Sequence, residues 1–195
     1  MSNGIKLLLF LIVILYSCSS GKKTVVPVNK EPVLQSGYWN NNDSRTLSED
    51  LIKELLNDTW LKEYMNVHKN LRPILIVGNV TNSGNETIDS LVFIKDIERS
   101  ILKYNTARLI QTNNKRNELY TRIAGKSESD CFETLIKWGI EQGADFIING
   151  NVISTPGIHK KNKFIHYAIQ LELVNLETRS EVWIGNKSLI KQITE

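Results

Sequence analysis

The sequence predicts an α/β protein of the α+β type, with a single mixed β-sheet of about five strands and helices packed on it. Three observations favour this class. Apolar residues recur at helical spacing in several segments of the chain. Ile74 to Val77 form a continuous β-favouring run, typical of a strand buried on both faces. The last quarter holds three strand-like segments joined by turn residues, which predicts a final antiparallel meander and argues against a purely parallel dinucleotide-binding sheet.

The N-terminus predicts a secretory signal peptide over residues 1–17. Lys6 precedes an apolar run from Leu7 to Tyr16, and about ten residues are too few for a transmembrane helix, which needs ~20. Leu15-Tyr16-Ser17-Cys18 resembles the bacterial lipoprotein signal, although Tyr16 is bulky for its position. We therefore expect Cys18 to be the lipid attachment site. The alternatives are an uncleaved anchor and an ordinary signal peptide that happens to contain a cysteine.

Residues 18–36 are expected to form a lipidated flexible tether, followed by one folded domain over residues 37–195. The segment from Ser19 to Ser36 holds two prolines and several charges without a helical or strand period. Fully extended, ~18 residues reach roughly 60 Å. With Cys18 acylated, Cys131 is the single remaining thiol, so the domain must be stabilised by its hydrophobic core.

The folded part is expected to begin near Tyr38-Trp39, and the first helix is expected in NNNDSRTLSEDLIKELLND, which offers Asn, Asp and Ser as capping residues. Its apolar face consists of Leu47, Leu51, Ile52, Leu55 and Leu56. A short second helix is expected in TWLKEYMNVHK. A third is expected in SLVFIKDIERSILKY, with a stripe of Leu91, Ile94, Ile97 and Ile101. NKRNELYTRIA is ambiguous and is interpreted as helical. SESDCFETLIKWGIEQGAD predicts a strong helix that ends at Gly143.

The expected strands share β-favouring residues between turn signals. They are RPILIVGNV, ARLIQT, DFIINGNVIS, KFIHYAIQLELVNL and EVWIGNKSLIKQ. In KFIHYAIQLELVNL, every second residue is apolar, which predicts that one face of the strand lies against the core. The residues of this face are Ile165, Tyr167, Ile169, Leu171 and Leu173. The segments TPGIHKKN and ETRS are expected to be the loops of the meander.

The sequence offers no positive sign of an enzyme, and no cofactor is expected. Gly78 and Gly84 are too far apart for a dinucleotide fingerprint, and no phosphate-binding loop or nucleophile elbow is present. His159 and His166 lack partners that would complete a metal set. Cys131 lies on an amphipathic helix without an identifiable base, which favours a structural thiol. Removing Lys6 with the signal peptide leaves 23 basic against 21 acidic residues, so nucleic acid is not an expected partner.

Several motifs together resemble the LpoB-type activators of penicillin-binding proteins, from about Tyr38 to the C-terminus. They are Arg72-Pro73, Gly78 with Asn82, ETID ending in Ile88-Asp89, Gly143 to Asp145 with Gly150, and NLET before Trp183. The GAD and NLET segments also resemble the wider group of envelope lipoproteins with a TolB N-terminal-like domain, which includes the curli-secretion (CsgG-type) proteins. The resemblance implies a TolB N-terminal-domain-like fold.

The resemblance also implies a function and a location. The lipidated protein is expected in the inner leaflet of the outer membrane, with its folded domain in the periplasm. There it would bind a small accessory domain of a class A penicillin-binding protein and stimulate peptidoglycan synthesis allosterically. Ser19 and Ser20 follow Cys18 where an aspartate would signal inner-membrane retention in enteric-type bacteria, which favours the outer membrane.

Two other functions remain open at this stage. One is an envelope assembly or secretion scaffold of the same fold, without enzymatic activity. The other, an enzyme acting on the cell wall, is disfavoured by the missing catalytic motifs. The partner-contacting residues of the family form a surface patch and not a motif, so the sequence assigns no partner-binding residue.

Overall fold

The domain is a mixed β-sheet with helices on both faces. The computed structural model describes residues 34–111, 115–159 and 161–193. Cys18, the expected signal peptide and residues 18–33 of the expected tether lie outside the described residues. Six strands form one sheet in the order β1-β6-β5-β4-β2-β3. The β4–β5 and β5–β6 pairs are antiparallel, whereas β1–β6, β2–β3 and β2–β4 are parallel. The mixed sheet and its final meander are confirmed.

The strands differ greatly in length. They are β1 (Leu34–Ser36), β2 (Ile74–Asn82), β3 (Arg108–Leu109), β4 (Phe146–His159), β5 (Asn162–Asn175) and β6 (Glu181–Ile193). All five expected strands are present, and the short edge strand β1 is the sixth. On β2, Leu75, Ile76 and Val77 are fully buried on alternating faces, as expected for a strand between two helical layers.

The helices agree with the sequence prediction, including the ambiguous segment. They are α1 (Asn41–Asn57), α2 (Thr59–Val67), α3 (Ser90–Tyr104), α4 (Arg116–Ile123) and α5 (Glu128–Glu141). Asn40 and Asp43 form a capping box at the start of α1, and Gly143 has a positive φ of 76° just beyond α5. Within the described segments, no helix is both long enough and apolar enough to cross a membrane.

Two segments expected to be irregular belong to the sheet. Leu34–Ser36, the end of the expected tether, pairs with β6 through Ile190, Lys191 and Gln192. Most of TPGIHKKN, expected as a loop, continues β4 as far as His159, with Pro156 opposite Ile165. Because β2 pairs with β4 only as far as Val152, the missing N–H of Pro156 faces a free edge and removes no ladder hydrogen bond.

The core divides into two clusters, one on each face of the sheet. The larger cluster packs α1, α2 and α3 against the sheet and includes all five inward residues expected on β5. The smaller one packs α4 and α5 against the opposite face around Ile76 and Trp138. One expectation for α3 is wrong, because Leu91 is 46% exposed. Phe93 occupies the core instead, since it shares a helical face with Ile97 and Ser100.

A buried ion pair joins the last strand to the first helix. The Lys191 ammonium donates to the Asp43 carboxylate and also to the backbone oxygen of Tyr38, 2.8 Å away. Both charged side chains are 1% exposed. The backbone N–H of Trp39 donates to the Tyr167 hydroxyl at 3.1 Å. The residues that follow β1 are thus held to both β5 and β6.

Candidate partner-binding site

An open cleft lies at the end of the sheet where β2 and β4 begin. We call it the corner cleft. It has a volume of about 520 Å³ and is lined by Tyr64, Asn70, Leu71, Arg72, Ile74, Arg108 and Asp145. Its residues come from α2, the α2–β2 turn and the starts of β2, β3 and β4. Lys69 and Asn70 have positive φ values of 53° and 63° in the turn, which turns the chain from α2 into β2.

The floor of the corner cleft is the carboxylate of Asp145. Its Oδ2 atom accepts hydrogen bonds from the Tyr64 hydroxyl at 2.8 Å and from the Ile74 backbone N–H at 2.7 Å. Burial and the adjacent Asp145 carboxylate raise the pKa of Tyr64 to about 12, so Tyr64 stays a neutral donor at physiological pH. The Tyr64 ring stacks on His68 with centroids 3.9 Å apart. The carboxylate is thus held both by a side chain of α2 and by the backbone of β2.

The rim of the corner cleft is basic and apolar. Arg72 donates to the backbone oxygen of Asn105 at 3.0 Å and to its side-chain oxygen at 2.6 Å, which holds the end of α3. Arg108 is exposed, and its side chain makes no ion pair with another described residue. Leu71, which lines the cleft, is 67% exposed, and Val67, at the end of α2, is 77% exposed. Aliphatic side chains flanked by arginines form the kind of surface that protein partners bind.

The corner cleft lies diagonally across the sheet from β1. Strand β1 pairs with Ile190–Gln192 near the end of β6, whereas the cleft lies at the level of Trp183 and Phe146. Ile190 and Trp183 are seven residues apart on β6, so the distance between them along the strand is about 23 Å. Four inter-strand spacings separate β1 from β2 in the sheet order, or about 19 Å. The cleft is therefore roughly 30 Å from the point where the expected tether joins the sheet.

A second, smaller cleft lies on the opposite side of the sheet beside α5. We call it the amide cleft. Its volume is about 270 Å³, and its lining comprises Asn79, Thr81, Cys131, Phe132, Leu135, Asn149, Gly150, Asn151, Gln170 and Glu172. Burial, and then the neighbouring charge of Glu181, raise the pKa of Glu172. The side chain of Asn149 hydrogen-bonds Glu172 and accepts from the Asn79 N–H at 3.3 Å.

A β-bulge shapes the amide cleft. Gly78 and Asn79 together oppose Asn149, between the register pairs Val77–Ile148 and Val80–Gly150. A Cβ atom on Gly78 would lie 2.3 Å from Asn149 Oδ1 and 2.7 Å from Ile147 Cδ1. The glycine singled out in the sequence therefore makes room for Asn149, which is 7% exposed.

The other candidate residues do not come together into one site. His166 faces Thr155 across the β4–β5 pair, and His159 faces Asn162. No group of metal-ligating residues is found in the part of the chain that the structure describes. Cys131 is half-buried, with its sulfur 3.5 Å from the backbone oxygen of Ile123, in keeping with a structural thiol. Cys18 lies outside the described residues, so its lipidation stays a prediction.

The motifs that carried the resemblance have structural roles. Asp89 caps α3 by accepting from the N–H groups of Leu91 and Val92, and the preceding Ile88 is buried in the larger core. Asn175 of NLET accepts from the N–H groups of Glu177 and Thr178 in the β5–β6 turn. Trp183 is 9% exposed within the larger core. These residues stabilise the fold, whereas Arg72 and Asp145 of the same set of motifs line the corner cleft.

Sequence reasoning missed Val67, Leu71 and Arg108 as surface residues. A signal existed at the first two, because they are aliphatic residues in the otherwise polar turn VHKNLRP. For Arg108 the sequence carried no such signal, because a single arginine at the start of a strand is common. Only the order of the strands in the sheet places Arg108 beside Arg72.

Comparison with known proteins indicates the family of the chain. A family model described as "Peptidoglycan-synthase activator LpoB" matches residues 43–189. Comparison with curated protein sequences gives no significant match.

Solved structures that resemble this chain include LpoB domains. The LpoB C-terminal domain from Salmonella enterica has a TM-score of 0.53 at 14% identity, over 77% of this chain and 98% of that chain. The domain from Escherichia coli gives 0.49 at 11%, over 77% and 98%. Lipoprotein GNA1162 from Neisseria meningitidis gives 0.48 at 12%, over 62% and 83%. At such low identity, the Salmonella likeness shows the fold alone.

Proposed function

The chain belongs to the LpoB family of peptidoglycan-synthase activators, and we propose that it binds and allosterically activates a class A penicillin-binding protein. In this proposal Cys18 carries the lipid that anchors the protein in the outer membrane, and the folded domain faces the periplasm. The protein performs no chemistry of its own. It stimulates the synthase by binding its active state more tightly than its inactive state, which takes a preference of a few kcal/mol.

The observation that carries the proposal beyond the family is the corner cleft. Its rim places Leu71 beside Arg108 and Arg72, about 30 Å from the strand that continues the expected tether. A surface far from the anchor is the one that can reach an enzyme in the opposite membrane. Its chemistry fits a partner patch with an apolar centre and acidic residues around it.

The test measures binding and activation in one system. Purified full chain, in detergent, is titrated against a purified class A penicillin-binding protein while the rate of glycan polymerisation is recorded. We expect saturable binding with a raised rate. Leu71→Ser removes an apolar contact at the centre of the surface, so its affinity should fall about tenfold. Arg108→Glu should slow association and reduce its dependence on salt.

Matched controls come from the other end of the sheet. Ile158 is 79% exposed at the β4–β5 hairpin and Lys161 follows it at the turn. Ile158→Ser and Lys161→Glu repeat the same chemical changes away from the corner cleft, so they should leave binding intact. Equal loss in the controls would contradict the assignment of the cleft. If the unaltered protein neither binds the synthase nor changes its rate, the proposed function is wrong. In a separate pull-down from membranes, co-purification with a secretion channel and no synthase would favour the scaffold alternative.

A further inference from the structure

The amide cleft has a chemistry different from the corner cleft. Its polar lining consists mainly of side-chain amides and one hydroxyl, from Asn79, Thr81, Asn149, Asn151 and Gln170. Among the described residues no lysine or arginine lines it, and its single acid, Glu172, is already hydrogen-bonded to Asn149 and to Glu181. An anion finds no counter-charge here, and a cation meets a carboxylate whose charged form is disfavoured by burial. The lining therefore selects an uncharged ligand.

The two walls of the amide cleft are unlike each other. The sheet supplies amides, each with both donors and acceptors. Helix α5 supplies Phe132 and Leu135, with Cys131 beside them. A ligand that fits must hydrogen-bond along one side and present an apolar edge on the other. Sugar rings have this division, because hydroxyls project from the rim and C–H groups lie on the faces.

The polar wall continues out of the cleft as a row across the sheet. Thr81, Asn151, Gln170 and Asn186 lie side by side on β2, β4, β5 and β6, about 4.8 Å apart. The Oδ1 atom of Asn151 accepts from the Thr81 and Ser83 hydroxyls, both at 3.0 Å, which fixes its orientation. Gln170 and Asn186 are exposed. A chain of several units could thus enter the cleft with one unit and lie along this row with the others.

We propose that the amide cleft binds an N-acetylated hexosamine unit of an uncharged glycan. The acetamido group contributes a donor, an acceptor and a methyl group, which match the amides of the sheet and the apolar wall of α5. The volume of about 270 Å³ equals that of about nine water molecules, enough for one such ring. This inference does not depend on the proposed function, since it concerns the opposite face of the sheet from the larger core and a different class of ligand.

The experiment uses the full chain in detergent and two soluble probes, chitotetraose and cellotetraose. NMR titration should show saturable, millimolar binding of chitotetraose, with the shifts centred on Phe132, Leu135 and Gln170. Cellotetraose, which has the same linkage without the acetamido groups, should bind at least fivefold more weakly. Binding should not change with salt, because neither probe carries a charge.

Variants separate the amide cleft from the rest of the surface. Asn151→Ala with Gln170→Ala should weaken chitotetraose binding at least fivefold, whereas Asn162→Ala, at an exposed amide on the β4–β5 hairpin, should not. Absence of saturable binding, shifts centred elsewhere, or equal affinity for both probes would overturn the proposal. The map of chemical-shift changes is recorded on the unaltered chain, so it locates the binding site even if the double variant unfolds.

Discussion

Asp145 illustrates how one side chain can hold the corner of this sheet. Its carboxylate accepts from Tyr64 and from the Ile74 N–H, while its backbone N–H donates to the Ile74 oxygen at 2.8 Å and its own oxygen accepts from Leu176 N–H at 3.0 Å. The residue therefore joins α2, β2 and the end of β5. The same contacts set the floor of the corner cleft.

Replacing Asp145 should lower the stability of the domain. Asp145→Ala removes two hydrogen bonds and leaves the Ile74 N–H without its side-chain acceptor, so we expect a loss of about 2–3 kcal/mol. Urea denaturation followed by circular dichroism measures it. Tyr64→Phe removes only one of the bonds and should cost about 1 kcal/mol. An unchanged midpoint for Asp145→Ala would contradict the role given to this carboxylate.

Glu172 should make stability depend on pH in the opposite direction to a salt-bridged acid. Burial raises its pKa, so protonation favours the folded state. The stabilisation that comes from protonating Glu172 is complete below the ordinary carboxyl pKa near 4. It is lost as the pH rises through the raised pKa of Glu172 in the folded state. Glu172→Gln should therefore have a higher Tm than the unaltered protein at pH 7, with the difference shrinking toward pH 4. A constant difference across this range would point to some other cause.

At this scale the sequence marked residues without showing what they do. Gly78, Asp89 and Trp183 belong to the motifs of the family resemblance, and the structure shows that they serve a β-bulge, a helix cap and the larger core. Nothing in the sequence indicated that Gly78 makes room for Asn149, since the two are brought together only by the parallel β2–β4 register.

Among the elements, β1 has the largest consequence for how the domain is defined. Its three residues pair with Ile190–Gln192, and the Gly37 N–H extends the pairing to the Gln192 oxygen at 2.9 Å. A domain cut at Tyr38 lacks this strand and exposes the edge of β6.

A truncation pair tests the contribution of β1. A chain that begins at Tyr38 should be about 1–3 kcal/mol less stable than one that begins at Pro32, because it loses the ladder hydrogen bonds between β1 and β6. It should also associate more readily through the exposed edge. Guanidinium denaturation and light scattering measure the two effects. Identical midpoints for both chains would show that β1 adds nothing.

The sequence predicted long elements well and edges poorly. Strand β5 was predictable because its inward residues alternate strictly and bury one whole face. Leu34–Ser36 is too short to show a period, and its pairing depends on a strand more than 150 positions away. The end of β4 was hidden by Pro156 and Gly157, which usually mark a turn but here occupy a free strand edge.

For the whole molecule, the position of the corner cleft would extend the reach of a lipid anchor at Cys18. Fully extended, the chain from Cys18 to the start of β1 can span at most about 50 Å. Because the corner cleft lies roughly 30 Å from β1 along the diagonal of the sheet, the domain would add more than half as much again to that reach.

Shortening the tether should leave binding to the synthase intact but prevent the anchored protein from reaching the synthase in cells. Deleting residues 22–30 removes about 30 Å of reach without touching the described domain. In detergent, where both proteins diffuse freely, activation of the synthase should be unchanged. In cells it should be lost, and nine glycine and serine residues inserted at the deletion should restore it. Loss of activation in detergent as well would mean that the tether itself takes part in binding.

The fold class could be predicted from the sequence, but the candidate sites could not. Periodicity reports which face of an element is buried, and that determined the layers. Both clefts depend on long-range placement, since Arg108 meets Leu71 only because β3 pairs with β2. A surface patch leaves no period in the sequence.

The parallel pairing of β1 with β6 also bears on how the domain would respond to mechanical load. If tension on the N-terminal side broke this pairing as far as Gly37, residues 34–37 would be released and the chain before the domain would lengthen by about 13 Å. Trp39 packs against the larger core and its N–H donates to the Tyr167 hydroxyl, so it would stay in place. The first strand would thus yield before the larger core opens.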